Sequence, residues 1–267
     1  MRFDILTIFP EFFDVPLKAG ILGRALEAGK IECHAHNIRD WTTDKHHCTD
    51  DAPYGGGGGM VMLAQPLLSA IREVRARAAE ASGMMRPPVI YLSPQGEALN
   101  HRIVRELAAL PAAILLCGTY EGVDERVVEL EVDREISLGD YVLTGGELPA
   151  LVLINAVARH IEGVLGNPDS APNDSFENGL LDFPHYTRPE VVEGLAVPPV
   201  LMSGHHARIV HWRREMSLLR TARRRPELLA GVELAWADRR FLFEQGFLED
   251  PGPDPKKKKR RRSAKNA

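Results

Sequence analysis

Two periods alternate along the first 161 residues. Short runs rich in apolar and β-branched side chains have the length of strands: "FDILTIF" from Phe3, "IECHAHNI" from Ile31, "PVIYLS" from Pro88, "AAILLC" from Ala112 and "VDREISL" from Val132. Between them, residues 65–82 and 98–109 carry apolar positions three and four apart, which predicts helices. Strands alternating with helices predict an α/β fold built on a parallel sheet. The segment "ELPALVLINAVARHI" from Glu147 is apolar nearly all round, so it reads as a buried helix with Pro149 in its first turn. Asn155 and Arg159, four apart, form its polar stripe.

The pattern changes at residues 162–173, "EGVLGNPDSAPN", whose glycine, proline, asparagine, aspartate and serine predict a connecting segment between domains. Beyond it, residues 208–221 place Ile209, Trp212, Met216 and Leu219 at core-facing spacing, with Arg213 and Arg220 on another face. A small all-α domain is therefore expected over residues 174–247, after a first domain over 1–161. Residues 248–267 begin "LEDPGPDP" and end in a basic run without apolar residues, the composition of a disordered tail. The chain has no internal repeat.

Composition changes this picture mainly through charge. With 267 residues, 44% hydrophobic and 26% charged, the chain can bury a substantial core in one or two domains. Residues 256–267 hold 8 of the 33 basic residues and no acid, so the remaining 25 basic residues face 37 acids, a balance of −12. Within that acidic remainder, residues 200–245 contain nine arginines, no lysine and five acids. Such a cluster suits contacts to RNA phosphates and bases, and equally a solvated helical face. Asp4 and Glu11 interrupt the N-terminal apolar residues, and no apolar run is long enough to span a bilayer, so a cytoplasmic protein that does not engage membrane is expected. Three cysteines, Cys33, Cys48 and Cys117, without a C-x-x-C spacing fit a reducing compartment. His46, His47 and Cys48 are adjacent, and adjacent side chains rarely converge on one ion; a polar loop is expected there.

Four glycine-bearing segments carry the chemistry. "YGGGGGM" at Tyr54–Met60 has the composition of a spacer, but its flanks argue for a loop whose backbone approaches a ligand. "YLSPQG" from Tyr91, "LCGTYEG" from Leu116 and "ISLGDYVLTGGELP" from Ile136 each follow or end a strand-like run. Ligands of parallel sheets bind at the C-terminal strand edge, so these three loops predict one shared pocket. None has the P-loop or dinucleotide pattern, and no lysine or arginine lies between Ile136 and Pro149. An apolar, uncharged wall suits a flat aromatic group better than a triphosphate. Asp174 and Glu177 have capping-box spacing, so Asp174 reads as a helix N-cap or as a general base. Arg159 reads as a helix-end arginine or as a catalytic cation.

Taken together, "APYGGGGGM", "VIYLSPQG", "CGTYEGVDERV", "SLGDYVLTGGELPALVLINAVARHIEGVLG", "DSFENGLLDFPHYTRP" and "VPPVLMSGHHARIVHWR" closely resemble the bacterial tRNA (guanine-N1)-methyltransferases of the SPOUT superfamily, from Met1 to about Phe247. Gly58 stands where the family usually has proline, and Thr119 where many relatives carry arginine. The resemblance implies a deep trefoil knot at the C-terminal edge of the sheet that binds S-adenosylmethionine. Carried over by motif, its pocket would be lined by Tyr91, Leu92, Ser93 and Pro94, by Gly118, Tyr120, Glu121 and Gly122, and by Ser137, Leu138, Gly139, Asp140, Tyr141, Val142, Leu143, Gly145, Gly146 and Pro149. It further implies methylation of N1 of guanosine 37 in tRNA, with Asp174 as base and Arg159 as the cation beside guanine O6. A homodimer with composite active sites, a grip on the anticodon arm, and use of Mg²⁺ belong to the same implication. Two other readings stay open: a SPOUT enzyme acting on ribose 2′-hydroxyls, and an RNA-binding module without catalysis.

Overall fold

The computed structural model describes residues 1–166 and 174–253, in a chain that divides into two compact units, Met1–Pro168 and Asp169–Ala267. Residues 167–173 of the expected connecting segment and the basic run 256–267 lie outside the described residues.

The first unit is built on five parallel strands. β1 (Arg2–Thr7), β2 (Glu32–Asn37), β5 (Val89–Ala98), β6 (Ala112–Cys117) and β7 (Arg134–Ser137) stand in the order β2-β1-β6-β5-β7. Alternation along each strand divides the core in two, because successive side chains leave a strand on opposite faces. Phe3, Ile5, Ile90, Leu92, Leu115 and Cys117 pack on one face under α1 (Gly20–Glu27), α3 (His101–Ala108) and α5 (Glu147–Ala158). Leu6, Val89, Tyr91, Ile114 and Leu116 pack on the other under α2 (Ala64–Ser82) and α4 (Glu125–Glu131). With both faces covered, β6 is buried at every position, which explains its unbroken apolar run. The helix starts are locally specified: Asn100 Oδ1 accepts from Ile103 N at 3.2 Å, and Asp124 Oδ1 from Arg126 N at 3.0 Å. Two acids are buried among the described residues of this unit, Asp4 and Glu147; Asp4 accepts from Arg2 Nη2 at 2.8 Å and pairs with His36 Nε2 at 2.8 Å.

Two features of the sheet position the loops. The connection from β6 to β7, residues 118–133, crosses β5 to reach the outer edge. β5 itself pairs with Ile136 at Leu92 and again at Glu97, so residues 93–96 leave the ladder between those two points. A short antiparallel pair, β3 (Asp50–Asp51) and β4 (Val61–Met62), brackets the five-glycine segment. The polar loop before it is closed by Asp44, which accepts from His46 N at 2.7 Å and Cys48 N at 3.0 Å.

α5 departs from the expectation of a helix buried all round. Leu153, Ile154 and Val157 face the sheet, but Leu148 and Val152 are 50% and 48% exposed. A single sheet can cover only one side of a helix. Phe9, Phe12 and Ile21, on the segments packed beside α5, are also exposed.

The second unit holds α6 (Pro199–Met202), α7 (His206–Arg224) and α8 (Trp236–Glu244) around a small core of Leu180, Leu218, Ala222 and Leu242. It is not all-α. β8 (Val191–Val192) and β9 (Leu195–Ala196) form a hairpin whose turn residues, Glu193 and Gly194, both have positive φ. The buried face of α7 also differs from the expected one: Ser217, Leu218, Thr221 and Ala222 are buried, while Ile209, Trp212, Met216 and Leu219 are only partly so. The small polar residues are inside because they bond another segment's backbone: Ser217 Oγ donates to Leu181 O, and Thr221 Oγ1 accepts from Leu181 N at 2.9 Å.

Candidate active site

At one edge of the sheet the 93–96 segment of β5 and the loops that follow β6 and β7 line one cleft, partly open to solvent.

Tyr91 forms the floor. Its ring packs so closely on Gly118 that a Cβ there would stand 2.8 Å from the ring carbon Cε2. Burial pushes the Tyr91 hydroxyl up from its ordinary value, with hydrogen bonds to the Val123 backbone and to Ser93 acting the other way. The loop after β7 is stapled to the loop after β6. Gly146 N donates to Gly118 O at 2.9 Å, Thr119 pairs with Gly145, and a Cβ on Gly146 would stand 2.6 Å from Cys117 Cα. The five-glycine segment grips the same loop from the other side, with Glu121 N donating to Met60 O at 3.0 Å and Met62 N to Gly122 O at 2.9 Å. Thr119, buried, directs its N–H and its hydroxyl at Met62 Sδ, 3.4 and 3.5 Å away. Below the staple, buried Glu147 accepts from Thr7 Oγ1 at 2.7 Å in the first turn of α5. Burial, reinforced by the Glu147 charge, holds the Cys117 thiol well above its usual pKa, so it stays a neutral packing group.

Tyr120 stands at the rim with φ +59°, a left-handed conformation that non-glycine residues seldom adopt outside constrained sites. Partial burial and the neighbouring Asp50 raise its hydroxyl pKa. Glu121 is the one charged side chain among the described residues lining the cleft. The wall is made of aromatic, aliphatic, hydroxyl and amide groups with a single carboxylate. It offers nothing to neutralise phosphate.

Of the residues expected to line the cofactor pocket, fifteen border this cleft: Tyr91, Leu92, Ser93, Pro94, Gly118, Tyr120, Glu121, Gly122, Ser137, Leu138, Tyr141, Val142, Leu143, Gly145 and Pro149. Gly139, Asp140 and Gly146 do not. Gly139 shapes the loop instead, its carbonyl accepting from Ser137 Oγ at 3.0 Å and Tyr141 N at 2.8 Å. Gln95, Thr119, Ile136 and Thr144 also line the cleft without belonging to the expected set, although each adjoins a residue of it. Arg159 is the C-cap of α5, where a cation is favourable to the helix dipole. Asp174 opens a turn rather than a helix, with Glu177 N on its carbonyl at 3.4 Å, so it does not cap a helix. It lines a pocket within the second unit, with Asp182, Phe183 and Arg213.

The profile of the family described as tRNA (Guanine-1)-methyltransferase TrmD matches residues 1–231. The chain belongs to this family. Similar members, each named tRNA (guanine-N(1)-)-methyltransferase, include one from Chloroflexus aggregans (strain MD-66 / DSM 9485), 57% identical over 251 residues that make up 92% of this chain and 96% of that one. One from Geotalea uraniireducens (strain Rf4) is 54% identical over 244 residues, 91% of this chain and 96% of its own. One from Haemophilus influenzae (strain PittGG) is 54% identical over 244 residues, 91% and 97% of the two chains. The TrmD match takes in the whole cleft, Arg159, Asp174 and α7, and no helix among the described residues is long and apolar enough to cross a membrane.

Proposed function

We infer that this chain methylates N1 of a guanosine in tRNA, the activity its family is named for, and that the target is guanosine 37 beside the anticodon. The observation that carries the reading is the TrmD relationship, which spans nine-tenths of the chain at more than half identity. The cleft supports S-adenosylmethionine as donor: its uncharged walls suit an adenosine, and Glu121 suits the ligand's positive charge. When bound, that group supplies a methyl on a sulfonium sulfur.

The remaining chemistry falls to the chain. Guanine N1 holds a proton at neutral pH, and its lone pair becomes nucleophilic only as that proton leaves and charge grows on O6. Asp174 accepts the proton, and Arg159 balances the charge on O6. Proton transfer to a positioned side chain typically contributes ~10²- to 10⁴-fold. The target base must leave its stack for either group to reach it.

In this reading residues 1–161 bind the donor, 174–247 hold the anticodon arm, and 162–173 link them. Two crossings support a trefoil knot: residues 118–133 pass across β5 to reach β7, and the chain then returns to the end of β6 at Gly146. The apolar stripe of Leu148 and Val152, with Phe9, Phe12 and Ile21 beside it, supports a homodimer through α5. The composite site then pairs one subunit's cleft with Asp174 of its partner.

Transfer of a radiolabelled methyl group to tRNA transcripts with guanosine or adenosine at position 37 tests the function. Label confined to the guanosine transcript, released as 1-methylguanosine on digestion, is expected. Label on ribose would point to a different SPOUT activity, and tRNA binding without label to a non-catalytic module. Repeating the assay in EDTA decides whether Mg²⁺ is needed.

A further inference from the structure

The pocket of the second unit is partly open to solvent, and its polar groups are unequally committed. Asp182 is occupied by its own segment: Oδ1 accepts from Phe183 N at 2.7 Å and Oδ2 pairs with His185 Nε2 at 2.7 Å. Arg214 is tied to Asp238 at 2.8 Å. Arg213 differs from its neighbour. Its guanidinium lies over the Phe183 ring, 4.7 Å from the centroid, and among the described residues that ring, rather than a carboxylate, is its partner. Phe183 is itself braced by the His185 ring at 4.7 Å, and its segment is anchored to α7 through Leu181. The result is a planar, permanently charged fork of N–H donors held at the rim of the pocket that contains Asp174.

What such a fork reads follows from its surroundings. A phosphate in this pocket would meet the Asp174 and Asp182 carboxylates, whereas a neutral base would not be repelled. Among the bases, guanine alone presents two adjacent acceptors, O6 and N7, which match two guanidinium N–H groups; adenine puts an amino donor in place of O6. Guanine's N1–H lies on the far side of O6 from N7, and O6 has a second lone pair for another cation such as Arg159. We propose that Arg213 reads the O6 and N7 edge of the target guanine and so sets the enzyme's preference for guanosine over adenosine. The proposal rests on the reading of Asp174 as the group that faces N1.

Replacing the target guanosine by 7-deazaguanosine exchanges N7 for a C–H and removes one acceptor while leaving N1 and O6. Affinity for each transcript by filter binding, and single-turnover methyl transfer, are measured with the unaltered enzyme, Arg213→Met and Arg213→Lys. The unaltered enzyme should lose about tenfold in affinity on the deaza transcript, within the span typical of a bidentate contact. Arg213→Met should bind both transcripts within about twofold of each other, and Arg213→Lys should fall between. Indifference of the unaltered enzyme to N7 overturns the proposal whatever the variants do, and so does a full deaza penalty retained by Arg213→Met. Thermal unfolding checks each variant, with Arg213→Lys carrying the comparison if Arg213→Met does not fold. Failure of the Asp174 reading would show separately, as undiminished transfer by Asp174→Asn.

Discussion

One added carbon at Gly146 would press on the backbone where β6 ends, whereas at Gly58 it would meet nothing within 4 Å. Gly146→Ala should therefore cost about 1–3 kcal/mol, the typical penalty of overpacking, and weaken donor binding by parting the two stapled loops. Gly58→Ala should be neutral or stabilise by about 0.4–1 kcal/mol through a stiffer unfolded chain. Thermal melts with calorimetric titration of S-adenosylmethionine would separate the two, and equal melting temperatures would refute the staple. Asp4 makes a second residue-scale test. Burial alone would raise its pKa, but the hydrogen bonds from His36 and Arg2 outweigh it and leave the carboxyl below its ordinary 3.8. A depressed folded pKa stabilises above the unfolded value and loses that contribution as pH falls through the folded one. The stability gap between the parent and Asp4→Asn in urea melts should thus be widest near neutrality and shrink below about pH 4, and a gap that grows in acid would contradict the pairing. Asp174 shows where local sequence misleads: its spacing to Glu177 is that of a capping box, yet no helix follows, because Gly179 turns the chain with φ +77° and Phe176 N bonds Leu180 O at 2.7 Å.

Elements are legible in the sequence in proportion to how far one period persists. β6 is legible to the residue because burial on both faces leaves no polar break, and α2 because its nineteen residues repeat the helical spacing several times. β3, β4, β8 and β9 are not, since two residues cannot carry a period. The three glycine-bearing segments are legible as one site because two follow parallel strands and the third, residues 93–96, breaks the ladder of β5 beside them, but the staple through Gly146 depends on a crossing that no local pattern encodes. α5 is legible as apolar without revealing which side the sheet covers. Its open stripe gives the prediction at this scale. Val152→Glu places a charge on a half-exposed position, so the isolated subunit should fold as before while a homodimer through α5 is weakened. Sedimentation should show a shift from dimer to monomer with far-ultraviolet dichroism unchanged, and methyl transfer should fall with the dimer. A variant that remains dimeric would move the interface elsewhere.

For the whole molecule the question is how charge and active sites are shared. Residues 256–267 add 8 positive charges without any motif, and a polycation strengthens RNA binding by counterion release without telling one base from another. Deleting them should leave turnover at saturating tRNA and the choice of guanosine intact, while weakening binding at low salt and flattening its salt dependence. Loss of the choice would mean that the tail takes part in recognition. Whether a dimer shares its sites, as proposed, is tested with two defective subunits. Asp174→Asn removes the proposed base, and Leu138→Arg sets a cation against the donor's sulfonium in the cleft that Leu138 lines. Each homodimer should be inactive. After subunit exchange, a heterodimer in which sites are composite has one intact cleft facing one intact Asp174. An equal mixture of the two variants forms heterodimers as half of its dimers, and with one site in two intact in each, about a quarter of the parent activity should return. If Asp174 instead served the cleft of its own chain, every site would retain one defect, and mixing would restore nothing even with heterodimers demonstrated by tagged co-purification.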